Sequence, residues 1–124
     1  MSWGEYLNNL KAEGLKHAAI CGLDGSWVQA SEGSEITQDE VKSFLSSMGN
    51  VEALAGSGIR IGGEKYMYIS GTDTICRGKK GQGGIHMAKS NTTLVIGIYD
   101  ENVQPGQVAI VVEKMADYLS GQNY

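Results

Sequence analysis

Apolar and polar positions alternate along this chain with two periods, and the switches between them outline its elements. Trp3, Tyr6, Leu7 and Leu10 fall at i, i+3, i+4 and i+7, which places them on one face of a helix. Ser2 and Glu5 form a capping box at its start, and Gly14 is placed to end it. Ala18 to Leu23 is a short apolar run, Asp24-Gly25 is a two-residue hairpin signal, and Trp27 to Ala30 returns as a second strand. Thr37 and Glu40 form another capping box. Val41, Phe44, Leu45 and Met48 follow at helical spacing, with Gly49 beyond them as a C-terminal cap. Asn50 to Ala55 predicts one further short helical turn, closed by Gly56.

From Gly58 onward the period changes to that of strands. Ile59 and Ile61 alternate, Gly62-Gly63 turns the chain, and Lys65 to Ser70 returns. Thr74 to Lys79, Ile85 to Lys89 and Thr92 to Tyr99 complete a meander of about five strands, and the run Gly78 to Gly84 reads as a flexible hairpin tip. Leu94 to Ile98 is apolar on both faces, so this strand should be central and covered on both sides. Gln104-Pro105 opens a last helix whose Val108, Val111, Val112, Met115 and Leu119 should face the sheet, with Gly121 as its cap. The pattern predicts an α+β fold. A central antiparallel sheet of about six to seven strands should carry the terminal helices on one face and the short helices on the other.

Composition narrows the classes. At 124 residues the chain is expected to be one domain over 1–124, large enough for a core without metal or disulfide staples. Its formal net charge of −4 argues against a general nucleic-acid binder. Arg77, Lys79, Lys80 and Lys89 nevertheless fall close together in sequence. Cys21 and Cys76 sit inside apolar strand patterns and read as buried free thiols, which fits a reducing compartment. No signal peptide is visible, since Glu5, Lys11, Glu13 and Lys16 charge the first twenty residues, and no stretch approaches a membrane span. A cytoplasmic monomer is expected.

Candidate chemistry is sparse. His17 and His86 have no cysteine or acid at a recognisable spacing, so neither a nucleophilic triad nor a metal site is indicated, and no cofactor is expected. In the Gly-Lys run Lys79 and Lys80 precede the later glycines and a strand follows, whereas a phosphate loop leads from a strand into a helix. The aromatics say more. Four of the nine, Trp3, Tyr6, Tyr118 and Tyr124, lie close to the two ends, where chains are ordinarily polar. Core packing is the bland account of such rings. A shared platform for a polyproline II segment is the sharper one, because that helix is preformed and loses little entropy on docking.

These residues together resemble the profilin family. The resemblance is carried by Ser2-Trp3-x-x-Tyr6 to Leu10, Asp24-Gly25-Ser26-Trp27, Gly62 to Met67 and Arg77 to Gly84. It continues through Ile98 to Glu101, Gln104 to Gln107 and Val112 to Leu119, in order along the whole chain. The resemblance implies an actin-monomer-binding adaptor rather than an enzyme. It also implies delivery of monomers to proline-rich nucleators, promotion of nucleotide exchange on actin, and phosphoinositide binding. Positions matching the family's proline groove are Trp3, Tyr6, Trp27, Tyr118, Leu119 and Tyr124. Those matching its actin face are Lys65, Met67, Tyr68, Ile69, Arg77, Lys79, Val103, Gly106 and Lys114. Arg77, Lys79, Lys80 and Lys89 are the basic positions for anionic phosphoinositide lipids.

The chain departs from many members by having Ala109 and Ile110 early in the last helix, which would make part of the actin contact apolar. Two readings from other classes remain beside this one. A small-ligand sensor would need a cavity in the sheet concavity, which Leu94, Ile96, Ile98, Phe44 and Met115 are expected to fill. A phosphotransfer enzyme would need a metal-binding acid cluster that is not identifiable.

Overall fold

A computed structural model describes residues 2–124. The elements are α1 (Trp3–Ala12), β1 (His17–Gly22), β2 (Val28–Ala30), α2 (Gln38–Ser47), α3 (Val51–Ser57), β3 (Ile59–Ile61), β4 (Glu64–Gly71), β5 (Ile75–Lys80), β6 (Gly83–Lys89), β7 (Thr93–Tyr99) and α4 (Pro105–Gly121). The strands form one seven-stranded sheet in the order β2-β1-β7-β6-β5-β4-β3. All its pairings are antiparallel. The meander of five strands therefore stands as predicted, and the first hairpin joins it through β1 against β7.

The two faces bury separate cores. On one side α1 and α4 close over Ala18, Ile20, Ala88 and Val95, with Leu7, Leu10, Val108, Val112 and Leu119 from the helices. On the other, Val41, Phe44 and Leu54 of α2 and α3 pack against Cys21, Ile59, Ile61, Met87, Leu94 and Ile96. Val28 and Ala30 from edge strand β2 share this second cluster with Ile59 and Ile61 from the opposite edge, β3. The sheet must therefore curl to bring its edges around one core. β7 is buried along nearly its whole length, as its two-sided apolar pattern requires.

Local chemistry accounts for the element ends. The Ser2 hydroxyl accepts from the Glu5 N–H at 3.3 Å, and Thr37 with Glu40 closes a full capping box. Gly62 and Gly63, at φ 68° and 77°, form the two-residue turn between β3 and β4, where both positions require a left-handed backbone.

Three sequence expectations are corrected. Helix α3 runs past Gly56 to Ser57 and ends at Gly58, whose N–H donates to the Leu54 carbonyl. The predicted flexible tip from Gly78 to Gly84 shrinks to Gly81 and Gln82, because strand pairing continues to Lys80 and resumes at Gly83. Gly78 is a packing position: a Cβ there would lie 3.0 Å from each of the Ile59, Ile85 and Tyr66 side chains. In α4, Gly121 is the last helical residue, and Asn123 at φ 72° makes the left-handed turn instead. Ala109 and Ala116 take up the buried face of α4, while Val111 and Met115 are half-buried towards α1.

Candidate functional site: an aromatic row and a basic strand face

Rings from the two terminal helices and the first hairpin meet on the α1–α4 side of the sheet. Trp3 is the hub. Its ring centroid lies 5.0 Å from that of Trp27, 5.7 Å from Tyr6 and 5.1 Å from Tyr124. Tyr6 continues the row to Tyr118 at 5.8 Å. Most of these contacts are edge-to-face, the arrangement the ring quadrupoles favour.

Each ring is held by its backbone. Trp3 and Tyr6 are one turn apart on capped α1, and Tyr118 projects from α4. Trp27 follows the Asp24-Gly25 turn, where Ser26 donates from its N–H and its hydroxyl to Asp24 Oδ1 at 2.9 and 2.7 Å. Tyr124 is fixed through its main chain. Its N–H donates to the Leu119 carbonyl at 2.8 Å, and its carbonyl accepts from the Ser90 and Thr92 hydroxyls at 2.8 and 2.7 Å and from the Thr92 N–H.

The six predicted groove positions differ in what they present. Tyr118 and Tyr124 are each 45% exposed, and Trp3 and Trp27 are half-buried. Tyr6 is buried, with little more than an edge in reach. Burial, with the Tyr118 phenol beside it, raises the Tyr6 phenol, so it stays a protonated hydroxyl. Leu119 has no exposed surface at all and belongs to the core beneath, where it supports the row from below. The row opens into a cleft of about 590 Å³ that Asp24, Asn91 and Thr92 also line. None of these three was among the expected site residues. The Asp24-Gly25 dipeptide marked only a turn, and no pattern linked it to the β6–β7 turn.

The basic strands make a second face. Met67 of β4 pairs across the sheet with Lys79 of β5, and Arg77 pairs with His86 of β6. Lys65, Met67, Arg77 and Lys79 are all exposed. Ile69 lies where the β4–β5 register shifts between Tyr68 and Ser70, and it is 51% exposed beside Met67 at 64%. Large apolar side chains thus stand open among cations on this face. Tyr68 does not belong with them: it packs half-buried against the α2–α3 core, opposite Gly78.

His86 ties this face to α4. It is buried and lies 2.9 Å through Nε2 from Glu113 Oε2. Burial lowers its pKa against the opposing pull of Glu113, which fits a neutral ring donating from Nε2. On the other flank of α4, Lys114 lines a groove against α1 together with Ile110 and Met115. Gly106 is exposed in the first turn of α4, and Val103 is half-buried against the Gly14 turn.

The four basic positions considered for phosphoinositides do not form one patch. Arg77 and Lys79 share a face. Lys80 follows on the opposite face and pairs with Glu64, and Lys89 lies at the far end of the β5–β6 hairpin, where its N–H bonds the Thr74 carbonyl. Among the described residues, no group of three or more His, Cys, Asp or Glu side chains could hold a metal ion.

A curled antiparallel sheet with helices on both faces and a surface row of rings defines a small binding module. The comparisons identify which one. The Profilin family model matches residues 1–124. A profilin of Branchiostoma belcheri is 46% identical over 121 residues, which cover 96% of each chain. Among solved structures, Acanthamoeba castellanii profilin IB superposes with a TM-score of 0.92 at 33% identity, covering 99% of this chain and all of that one. Mouse profilin IIa in complex with a double repeat from the FH1 domain of mDia1 shares the fold at a TM-score of 0.83 and 23% identity, covering both chains fully. The chain belongs to the profilin family.

Proposed function

We propose that this chain is an actin-monomer-binding adaptor that also binds proline-rich segments, acting as a single domain over 1–124. It regulates actin polymerisation and promotes nucleotide exchange on actin by preferring one actin conformation, so it carries no bond chemistry of its own. The observation that carries this reading is the continuous row Trp27–Trp3–Tyr6–Tyr118, with Tyr124 packed on Trp3. At roughly 3.1 Å per residue, a polyproline II helix of about five residues spans those ring-to-ring steps. Its prolines stack on the ring faces, and the Trp N–H and Tyr hydroxyls donate to its bare carbonyls.

Actin is bound through Lys65, Met67, Ile69, Arg77 and Lys79, with the start and outer side of α4 supplying Gly106, Lys114 and Ile110. Cations steer the complex towards actin's acidic surface, and the exposed apolar residues supply buried area. Phosphoinositide headgroups would meet only Arg77 and Lys79 on this face. The module works in the cytoplasm as a monomer; among the described residues no helix is long and apolar enough to cross a membrane.

The small-ligand alternative is disfavoured by how the concave core packs. Leu94, Ile96, Ile98 and Phe44 are buried in the concave core, while Met115 lies on the other face.

Tryptophan fluorescence during an oligoproline titration, with actin-monomer binding measured in parallel, tests the reading. The wild-type chain should give a saturable change, and Trp3→Ala should weaken it by roughly ten-fold or more, as loss of a central aromatic anchor does. Lys79→Glu should keep the proline response and weaken actin binding by roughly five-fold. A flat wild-type titration would exclude the aromatic row as a proline site.

A further inference from the structure

One end of the cleft carries a charge that a neutral proline helix does not use. Among the described residues lining the cleft with Trp3, Trp27 and Tyr124, Asp24 is the single charged side chain. Its carboxylate is fixed rather than mobile. Both Ser26 donors go to Oδ1, and the same contacts hold the carboxyl below its usual range, so it is ionised at neutral pH. Asp24 and Trp27 also share one corner. A Cβ placed on Gly22 would stand 3.0 Å from Asp24 Oδ1 and 2.6 Å from Trp27 Nε1.

A carboxylate fixed beside the Trp27 ring is a poor neighbour for proline carbonyls, which it repels, and a good one for a cation. Among the described residues, Lys42 of α2 packs its stem over Gly25 and its charge helps to lower the Asp24 carboxyl. It forms no ion pair with Asp24: the ion pairs among the described residues are Lys80–Glu64 and His86–Glu113. At the opposite end of the row, the groove beside Tyr118 holds both Glu13 and Lys114 and so has no preferred sign.

We infer that Asp24 is a specificity determinant that favours proline-rich segments carrying a Lys or Arg immediately beside the proline run, at the end that lies on Trp27. The inference rests on the proline-binding reading above and names which partners that site prefers. An exposed, fixed carboxylate facing one ligand cation should improve binding by roughly three-fold at low salt, and the gain should shrink as salt rises.

The test compares oligoproline with an Arg at its N-terminal flank, an Arg at its C-terminal flank, a Glu at either flank, or no flanking charge. Binding to the wild-type chain and to Asp24→Asn is followed by calorimetry at low and high salt. The Asn side chain keeps an acceptor for Ser26, so the turn is retained. One of the two Arg peptides should bind about three-fold tighter than undecorated oligoproline, its Glu counterpart more weakly, and Asp24→Asn should erase the difference while binding undecorated oligoproline at least as tightly as the wild-type chain does. Equal affinity for Arg-flanked and undecorated peptides, or an Arg advantage that survives in Asp24→Asn, overturns the assignment while leaving the aromatic row intact. Failure of every peptide to bind the wild-type chain overturns the proline reading itself, and this inference with it.

Discussion

Gly97 shows how a single position couples the core to the candidate site. It lies in the middle of β7, between Ala18 of β1 and His86 of β6, directly beneath α4. A Cβ there would stand 2.6 Å from Val112 Cγ2 and 3.1 Å from Leu15 Cδ1, both parts of the packed core between the helices and the sheet. Gly97→Ala should therefore push α4 away from the sheet and cost about 1–3 kcal/mol, the usual range for overpacking. Because α4 carries Tyr118, oligoproline binding should weaken in the same variant. Urea unfolding with a parallel peptide titration checks both; a variant as stable as the parent would show that α4 has slack over β7. None of this was legible in the sequence, where Gly97 was one apolar-strand residue among several. The rings were legible because Trp3 and Tyr6 fall at helical spacing and Tyr118 and Tyr124 sit where polar residues are expected. Leu119 was misjudged for the converse reason, since spacing places a residue on a helix face without telling whether that face ends in ligand or core.

At the scale of elements, Glu40 joins two pieces that are remote in sequence. Its Oε1 accepts from the Thr37 N–H at 3.0 Å, completing the cap of α2, and from the Gly62 N–H at 2.9 Å. Its Oε2 accepts from the Gly63 N–H at 2.9 Å. One carboxylate thus satisfies the helix start and both amides of the β3–β4 turn, each bond being charge-assisted. Glu40→Ala should cost about 2–3 kcal/mol, more than an isolated cap, because three amides lose a partner at once. Thermal unfolding should show that loss, while oligoproline affinity, which depends on the opposite face of the sheet, should not change. A loss no larger than that of Thr37→Ala would mean that the turn amides find water as readily as they find Glu40. The capping box was readable because it is a local pattern of four residues. The bond to the turn, some twenty residues downstream, could not be read because nothing local specifies it. Strand ends blurred for a similar reason: pairing across β5 and β6 extends the strands through glycines that local propensity assigns to a loop.

The whole molecule places its titratable groups so that stability should depend on pH at both extremes. Burial lowers His17, with Lys11 and Lys16 adding to the effect, and it lowers His86 despite Glu113. Both rings are thus neutral in the folded chain at a pH where the unfolded chain, with ordinary imidazoles near about 6.5, begins to take up protons. The unfolded state then binds more protons, so stability is full above about pH 6.5 and falls as the pH drops below it. On the alkaline side burial alone pushes the Cys21 thiol up to about 12 and that of Cys76 up to about 11. Unfolded thiols ionise near about 8.5, so from there upward the unfolded state loses protons that the folded one keeps, and stability falls again. The expected profile is a plateau between about pH 6.5 and 8.5 with a decline on each side. Below about pH 9 the alkaline decline belongs to the cysteines; above it the phenols of Tyr6, Tyr66 and Tyr99, which burial raises, add to it as unfolded tyrosines ionise near about 10. Urea midpoints measured up to about pH 9 should therefore lose the alkaline slope in a Cys21→Ala, Cys76→Ala double variant and keep the acid one. An alkaline slope that persists without the two thiols would mean that other groups set it, and that the buried cysteines are structural fillers with no part in the pH response.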